Sequence, residues 1–185
     1  VKHNGQSATF TALNASAQTR LMEATPGARS SMSVEAHGTG TRLGDPIEIS
    51  GLSALKKVKG FERTLVSGIK ANLGHTEPTA GVAGYLAAML VAVSHDQQPN
   101  ALLRTANPVA HFERIEGLRF ATDSTPWPAG KSFGREETTF SCGVSSFGYS
   151  GIIAHAVISA TGRSIDNETI SMPIEDAKVA DRRIV

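Results

Sequence analysis

Short apolar segments alternate with polar, glycine-rich ones along this chain and predict helices and strands in turn. Leu13–Ala24 has the pattern of a helix, with Asn14 or Ser16 as its N-cap. The β-type runs Ser31–Ala36 and Thr64–Ile69 predict two strands, and each is followed by a glycine-rich loop and another helix. This alternation is typical of a layered α/β domain.

The two helices that follow these loops have contrasting patterns. The first has a clear start signal, with Asp45 as N-cap, Pro46 at the first helical position and Glu48 two residues later, which together predict a capping box. The second runs from about Thr79 to Ser94 and carries small or apolar residues on all sides. Because a helix without a polar face is normally buried, we expect it inside the domain.

The last third of the chain predicts two strands followed by a tail. Thr138–Val144 and Ile152–Ser159 are rich in β-branched residues, and a turn containing Ser-Phe-Gly joins them. Residues 97–122 are predicted to be mostly extended or looped. Beyond residue 161 the sequence is polar and without pattern, so we interpret 161–185 as a linker or disordered tail.

Composition excludes several classes of protein. The 185 residues suffice for one domain with a core, and a net charge of +1 without a basic run argues against nucleic-acid binding. The longest apolar stretch, Val82–Val93, is shorter than the about 20 residues that a bilayer requires. A single cysteine, Cys142, excludes an internal disulfide and indicates a reducing compartment, which is the cytoplasm, or the plastid in a eukaryote. The chain begins at Val1 rather than Met and is interpreted as a fragment of a longer protein, with a trimmed mature protein as the alternative.

Two histidines in glycine-rich settings, His37 and His75, are the main candidates for chemistry. Each follows a predicted strand, at a position where side chains line clefts. An imidazole there can donate a hydrogen bond or carry a proton, and two together indicate stabilisation of negative charge on a carbonyl oxygen. Lys70 precedes His75 by five residues, and a cation beside an imidazole lowers its pKa and keeps it neutral. A strand-capping or helix-capping role remains the alternative for both histidines.

Other functions of these segments are less favoured. A phosphate cradle at the loop before Asp45 is disfavoured because that carboxylate would repel the anion, and the six histidines lack metal-ligand spacing. Cys142 lies in an apolar strand, where a thiol has a raised pKa and is inert. Phe147 is either a core residue or a gate over a cleft, with neighbouring amides as oxyanion donors.

Three motifs resemble one family. Residues 34–48 read VEAHGTGTRLGDPIE, residues 70–77 read KANLGHTE, and residues 143–151 read GVSSFGYSG. In this order they resemble the C-terminal half of a β-ketoacyl synthase domain of a type I polyketide synthase, over about residues 1–160. The resemblance implies a thiolase-like fold of αβαβα layers, of which only the C-terminal half is here, and decarboxylative Claisen condensation of an acyl thioester with a malonyl-type extender carried by acyl carrier protein.

The resemblance also implies roles for six residues. His37 and His75 match the two histidines of the family's Cys-His-His set, and Lys70 matches the lysine that organises the site. Thr39 and Thr41 match threonines that contact the phosphopantetheine arm of the carrier protein. Phe147 matches the gating phenylalanine, whose amide joins the oxyanion hole. No cofactor or metal is implied, and the full-length protein is expected to be a homodimer.

Two departures from the family pattern leave alternatives open. The nucleophilic cysteine belongs to the N-terminal half, and Cys142 does not match it, so this chain alone is expected to be inactive. Ile152 and Ile153 replace a usual threonine and asparagine, which alters local hydrogen bonds. A non-condensing subunit, a decarboxylase and a module that binds acyl carrier protein therefore remain alternatives. We also expect the isolated chain to be poorly stable, with a large apolar patch on its Thr79–Ser94 helix.

Overall fold

The computed structural model of the chain describes residues 1–3, 14–56, 64–94, 97–101, 103, 105–107, 115, 117–121 and 138–162. Its helices are α1 (Ala15–Glu23), α2 (Gly44–Lys56), α3 (Lys70–Leu73) and α4 (Ala80–Ser94). Its strands are β1 (Lys2–His3), β2 (Ser33–Glu35), β3 (Thr64–Ser67), β4 (Leu118–Phe120), β5 (Thr138–Phe147) and β6 (Ile152–Gly162). The predicted tail lies almost wholly outside the described residues, so its boundary stays a prediction.

All six strands form one mixed sheet in the order β1-β6-β5-β2-β3-β4. The four strands β5, β2, β3 and β4 are parallel, whereas β6 pairs antiparallel with both β5 and β1. Because neighbouring parallel strands end at the same edge, the segments that follow β2 and β3 emerge side by side. The β5–β6 hairpin also turns at this edge, where Glu35 is in register with Val144.

Helices cover both faces of the sheet. On one face α2 packs against the strands through a cluster around Leu52 and Leu55, and α1 packs beside it. On the other face Ala88, Val91 and Ala92 of α4 meet the side chains of β5. The predicted N-cap of α1 is confirmed, because the Asn14 side chain accepts a hydrogen bond of 3.0 Å from the Ala17 amide.

The expectation that α4 is buried on all sides is wrong for this chain, although the expected apolar patch is present. One face of the helix packs inward at Ala80, Gly84, Ala88, Val91 and Ala92. Six large apolar side chains on the remaining surface, here called the α4 outer face, are exposed: Val82, Tyr85, Leu86, Met89, Leu90 and Val93. A helix without a polar face is suited to packing on two sides. The described residues cover only the inward side of α4.

A related finding concerns membrane insertion. Among the described residues, one continuous stretch, Glu77–Ser94, is long and apolar enough to cross a membrane, with a mean hydropathy of 1.2. A core helix has the same length and composition, and the packing of α4 on β5 is of that kind. The expectation that no apolar segment is long enough to span a bilayer is therefore wrong for Glu77–Ser94, and the absence of a membrane span stays a prediction.

The α4 outer face should make residues 1–185 associate when they are expressed alone. Exposed contiguous apolar surface of this kind favours aggregation, so we expect oligomers in size-exclusion chromatography and binding of a hydrophobic dye. The double variant Leu86→Gln, Leu90→Gln should reduce both signals, because these two side chains are 47% and 60% exposed. A monomer of residues 1–185 with a sharp cooperative thermal transition would contradict this expectation.

Candidate functional site

His37 lies two residues beyond the end of β2, in a loop whose backbone amides donate hydrogen bonds to Glu48. The Glu48 side chain is 4% exposed and accepts hydrogen bonds from the amides of His37 (2.8 Å) and Gly38 (3.0 Å). The predicted capping box is therefore wrong. The Glu48 carboxylate accepts from the loop amides instead of from an amide at the start of its own helix. This is because the end of β2 brings the amides of His37 and Gly38, which lack other partners among the described residues, within bonding distance of it.

Other side chains of the same loop accept hydrogen bonds from the backbone amides at and before the start of α2. The helix begins at Gly44, and the Thr41 hydroxyl oxygen accepts a bond of 3.0 Å from the Gly44 amide. Asp45 lies within the first turn, and its carboxylate accepts a bond of 3.1 Å from the Gly40 amide. Hydrogen bonds from backbone amides to polar side chains of the same segment thus hold the loop that carries Thr39 and Thr41.

The structure brings three of the predicted site residues into one cluster. The rings of His37 and His75 lie with centroids 6.1 Å apart at 88°, an edge-to-face arrangement. The ring of Phe147, the last residue of β5 rather than a turn residue, lies 5.2 Å from the His37 ring. The loops after β2 and β3 and the end of β5 therefore converge on one place.

Backbone amides determine which nitrogen of each imidazole carries the proton. The Phe147 amide donates to His37 Nδ1 over 3.3 Å, and the Glu77 amide donates to His75 Nδ1 over 2.9 Å. A ring nitrogen that accepts a hydrogen bond carries no proton, so each neutral ring presents a donating Nε2–H. Glu77 adopts a positive φ of 47°, which only glycines otherwise show among the described residues.

The bond from Phe147 corrects one expectation. The resemblance implies that this amide serves an oxyanion hole, but in this conformation it is occupied by His37 Nδ1. Phe147 packs against a small buried cluster formed by Ala17, Leu21 and Ile153. Ile153, one of the two isoleucines that depart from the family pattern, is also the register partner of Phe147 in the β5–β6 pair.

Electrostatics keep His37 neutral. The pKa of His37 is lowered to about 4, mainly by burial and to a smaller extent by the charge of Lys70 and by the neighbouring His75. Lys70 begins α3 and is half-buried, with Glu35 and Glu48 as the carboxylates that favour its charged form. Burial raises the pKa of Glu48 to about 7 and also raises the pKa of Glu35.

A cavity of about 410 Å³ adjoins this cluster. Its lining includes Thr39, Lys70 and His75, together with Asn100 and Phe120 from later segments. Thr41 is turned to the helix start, so Thr39 is the threonine that faces this space. Within the part of the chain that the structure describes, no three His, Cys, Asp or Glu side chains come together as metal ligands would.

Cys142 is fully buried in β5, and burial raises the pKa of its thiol to about 12. This confirms the interpretation of an inert core cysteine. Two carboxylates of the site were missed by the sequence reasoning: Glu48 was assigned to a capping box, and Glu35 was given no role. The signal available for Glu35 was a charged residue inside a predicted core strand, since a buried carboxylate requires hydrogen-bond partners.

Comparison with known proteins decides the family. The family described as "Beta-ketoacyl synthase, C-terminal domain" matches residues 1–103, which is more than half of the chain. The chain belongs to the β-ketoacyl synthase family. The matched range contains the first two of the three motifs that carried the resemblance, at residues 34–48 and 70–77. The predicted thiolase-like fold is confirmed by the ketosynthase structures that the chain resembles.

The relatives of this ketosynthase chain are polyketide synthases. It is 39% identical over 138 residues to polyketide synthase GfsA of Streptomyces halstedii, which covers 75% of this chain and 2% of that protein. It is 35% identical over 178 residues to polyketide synthase ThaG of Burkholderia thailandensis, which covers 85% of this chain and 3% of that protein. The solved ketosynthase from module 6 of the bacillaene synthase of Bacillus subtilis superposes with a TM-score of 0.74 at 32% identity, covering 88% of this chain and 29% of that one.

Proposed function

We propose that this ketosynthase chain forms the side of an active site that stabilises the carbanion in decarboxylative condensation. One observation supports the proposal most directly. His37 and His75 lie edge to face, and both accept a backbone amide at Nδ1, so both present Nε2–H as a donor. Two fixed donors of this kind suit a thioester oxygen on which negative charge develops.

The chemistry follows from these donors. The thioester oxygen of a malonyl group accepts the two Nε2–H bonds, and its carbon–carboxylate bond breaks to release carbon dioxide. The electron pair of that bond stays on the remaining carbon and is delocalised onto the thioester oxygen as an enolate. The Nε2–H groups of His37 and His75 donate hydrogen bonds to this oxygen. The enolate carbon then attacks an acyl thioester, a carbon–carbon bond forms, and the enzyme thiolate leaves. The Lys70 ammonium adds a positive charge beside the developing negative one, and it disfavours protonation of His37.

The nucleophilic thiol must come from elsewhere. Cys142 is buried and its thiol stays protonated, so it cannot carry the acyl group. The chain spans 2% of the Streptomyces relative, 3% of the Burkholderia relative and 29% of the bacillaene ketosynthase. We therefore assign the thiol to the N-terminal part of a longer polypeptide, with acyl and malonyl thioesters of acyl carrier protein as substrates.

The carrier's phosphopantetheine arm would enter beside Thr39, whose side chain lines the cavity next to Lys70 and His75. The Thr41 hydroxyl already bonds to the Gly44 amide, so we give Thr39 the larger role. A homodimeric, cytoplasmic full-length protein remains part of this proposal. Nothing in the comparisons supports a plastid location.

The proposal is tested by following both products of the full-length protein. The protein is first loaded with a radiolabelled acyl group and then given malonyl-acyl carrier protein. We expect equal amounts of carbon dioxide and β-ketoacyl product. Carbon dioxide without a new carbon–carbon bond would favour a decarboxylase, and binding of the carrier protein with neither product would favour a binding module.

A further inference from the structure

A second buried carboxylate lies beside the site. Glu35 is the last residue of β2, precedes His37 by two residues and is 3% exposed. Its side chain points to the face of the sheet that α4 covers. The helix passes over it at Gly84, where an added Cβ would stand 3.4 Å from Glu35 Cγ. A charged group in such a position is costly unless its oxygens are hydrogen-bonded.

Both oxygens of Glu35 accept hydrogen bonds, one from the last residue of β3 and one from the segment that follows it. Oε1 accepts from the Ile69 amide at 2.5 Å, and Oε2 accepts from the Ser67 hydroxyl at 2.8 Å. Ile69 directly precedes Lys70, the first residue of α3. One side chain therefore joins the strand end that leads to His37 with the segment that leads to Lys70.

The polar groups behind Ser67 direct its proton toward Glu35. The Gln97 side-chain amide donates to the Ser67 oxygen at 2.8 Å, and the Ser33 hydroxyl bonds to the Gln97 carbonyl oxygen. The proton of Ser67 is then free to go to Glu35. Burial raises the pKa of Glu35, and the two hydrogen bonds that its oxygens accept act in the opposite direction, in favour of the ionised form.

We propose that Glu35 is a positioning residue of the condensation reaction, which fixes the Lys70 segment against the His37 loop and serves as a counter-charge for the Lys70 ammonium. The proposal rests on the proposed function, because it assigns Glu35 a part in that same site. Glu35 acts through Lys70 and His37 and makes no contact with substrate. A small displacement between such groups is enough to slow a reaction about 100-fold.

The charges around Lys70 define the expected pH effect. Lys70 faces the carboxylates of Glu35 and Glu48 and the imidazole of His37, and it lines the same cavity as His75. Cys142 on β5 faces Glu35 as a neutral thiol. Glu35 and Glu48 both raise the pKa of Lys70, against the effect of burial. Removal of one carboxylate therefore lowers the pKa of Lys70, and the lysine loses its charge at a lower pH.

The test is Glu35→Gln in the full-length protein, with decarboxylation of malonyl-acyl carrier protein measured against pH. We expect kcat to fall about 10- to 100-fold with KM changed less than about threefold, and the alkaline limb of kcat to move to lower pH. Thr64→Val is the matched control. It removes a buried hydroxyl at the other end of β3, where Thr64 bonds to the Ser31 carbonyl, and should leave kcat and the limb unchanged.

The outcomes separate this inference from the proposed function. A wild-type protein without decarboxylation would remove the proposed function itself. An active wild type with unchanged kcat and an unchanged alkaline limb in Glu35→Gln would overturn the inference alone. If Glu35→Gln does not fold, Ser67→Ala replaces it: this variant keeps the charge and removes one bond, so a reduced kcat supports the inference and an unchanged kcat overturns it.

Discussion

Full-length protein that carries His75→Ala is expected to lose condensation while it still accepts an acyl group. The His75 Nε2–H is one of two donors to the enolate oxygen, and loss of a single oxyanion donor typically costs about 10²–10³ in kcat. Acyl transfer to the thiol does not form that enolate, so loading should be largely retained. Single-turnover assays that follow labelled acyl groups onto the enzyme, and then into product, measure the two steps separately.

Two further variants sharpen this result. His75→Asn retains a side-chain donor and should recover part of the condensation rate. Thr79→Ala is the matched control, since Thr79 is an exposed neighbour whose hydroxyl bonds only to the Thr76 carbonyl, and it should behave as wild type. An equal loss of loading and condensation in His75→Ala would contradict the role assigned to His75.

Glu48→Ala in the full-length protein should have the largest effect on stability. The change leaves the His37 and Gly38 amides without their partner, and each buried orphan amide costs about 1–3 kcal/mol. Glu48→Gln keeps one carbonyl acceptor and should lose less. Denaturant unfolding measures both, and Asp45→Asn is the matched control because it retains an acceptor for the Gly40 amide.

The pH dependence of stability provides a second check on Glu48. Its pKa is about 7 in the folded protein, above the ordinary value of 4.5, so the folded state holds the proton more tightly than the unfolded state. The contribution of Glu48 to the free energy of unfolding is therefore largest below pH 4.5 and declines as the pH rises to about 7. Glu48→Gln should flatten that decline, and an unchanged slope in Glu48→Gln would show that Glu48 does not titrate in this window.

The parts of the fold that sequence predicts are those with local signals. The cap of α1 at Asn14 depends on residues within one helical turn, and the strand before His37 depends on the short β-type run Ser31–Ala36. That His37 and His75 act at one site was also predicted, from their positions after predicted strands and from the resemblance. The cap and the strand need no knowledge of distant parts of the chain, whereas the contact between the two rings depends on the pairing of β2 with β3.

The features that sequence did not predict depend on long-range contacts. Glu48 has the spacing of a capping box, yet it bonds to amides 10 and 11 residues earlier, because the end of β2 places them above it. The bond from Phe147 to His37 joins residues 110 positions apart. The exposure of the α4 outer face depends on which other elements are present, and no pattern within the helix specifies them.

The contact between Phe147 and His37 couples the shape of the β5–β6 hairpin to the proton of an imidazole. The Phe147 amide is what fixes the proton of His37 on Nε2, and a neutral ring released from it would be free to exchange tautomers. A rearrangement that moves the Phe147 amide away would therefore leave the proton of His37 free to occupy either ring nitrogen. The conformation at the end of β5 and the tautomer of His37 are thus linked by a single hydrogen bond.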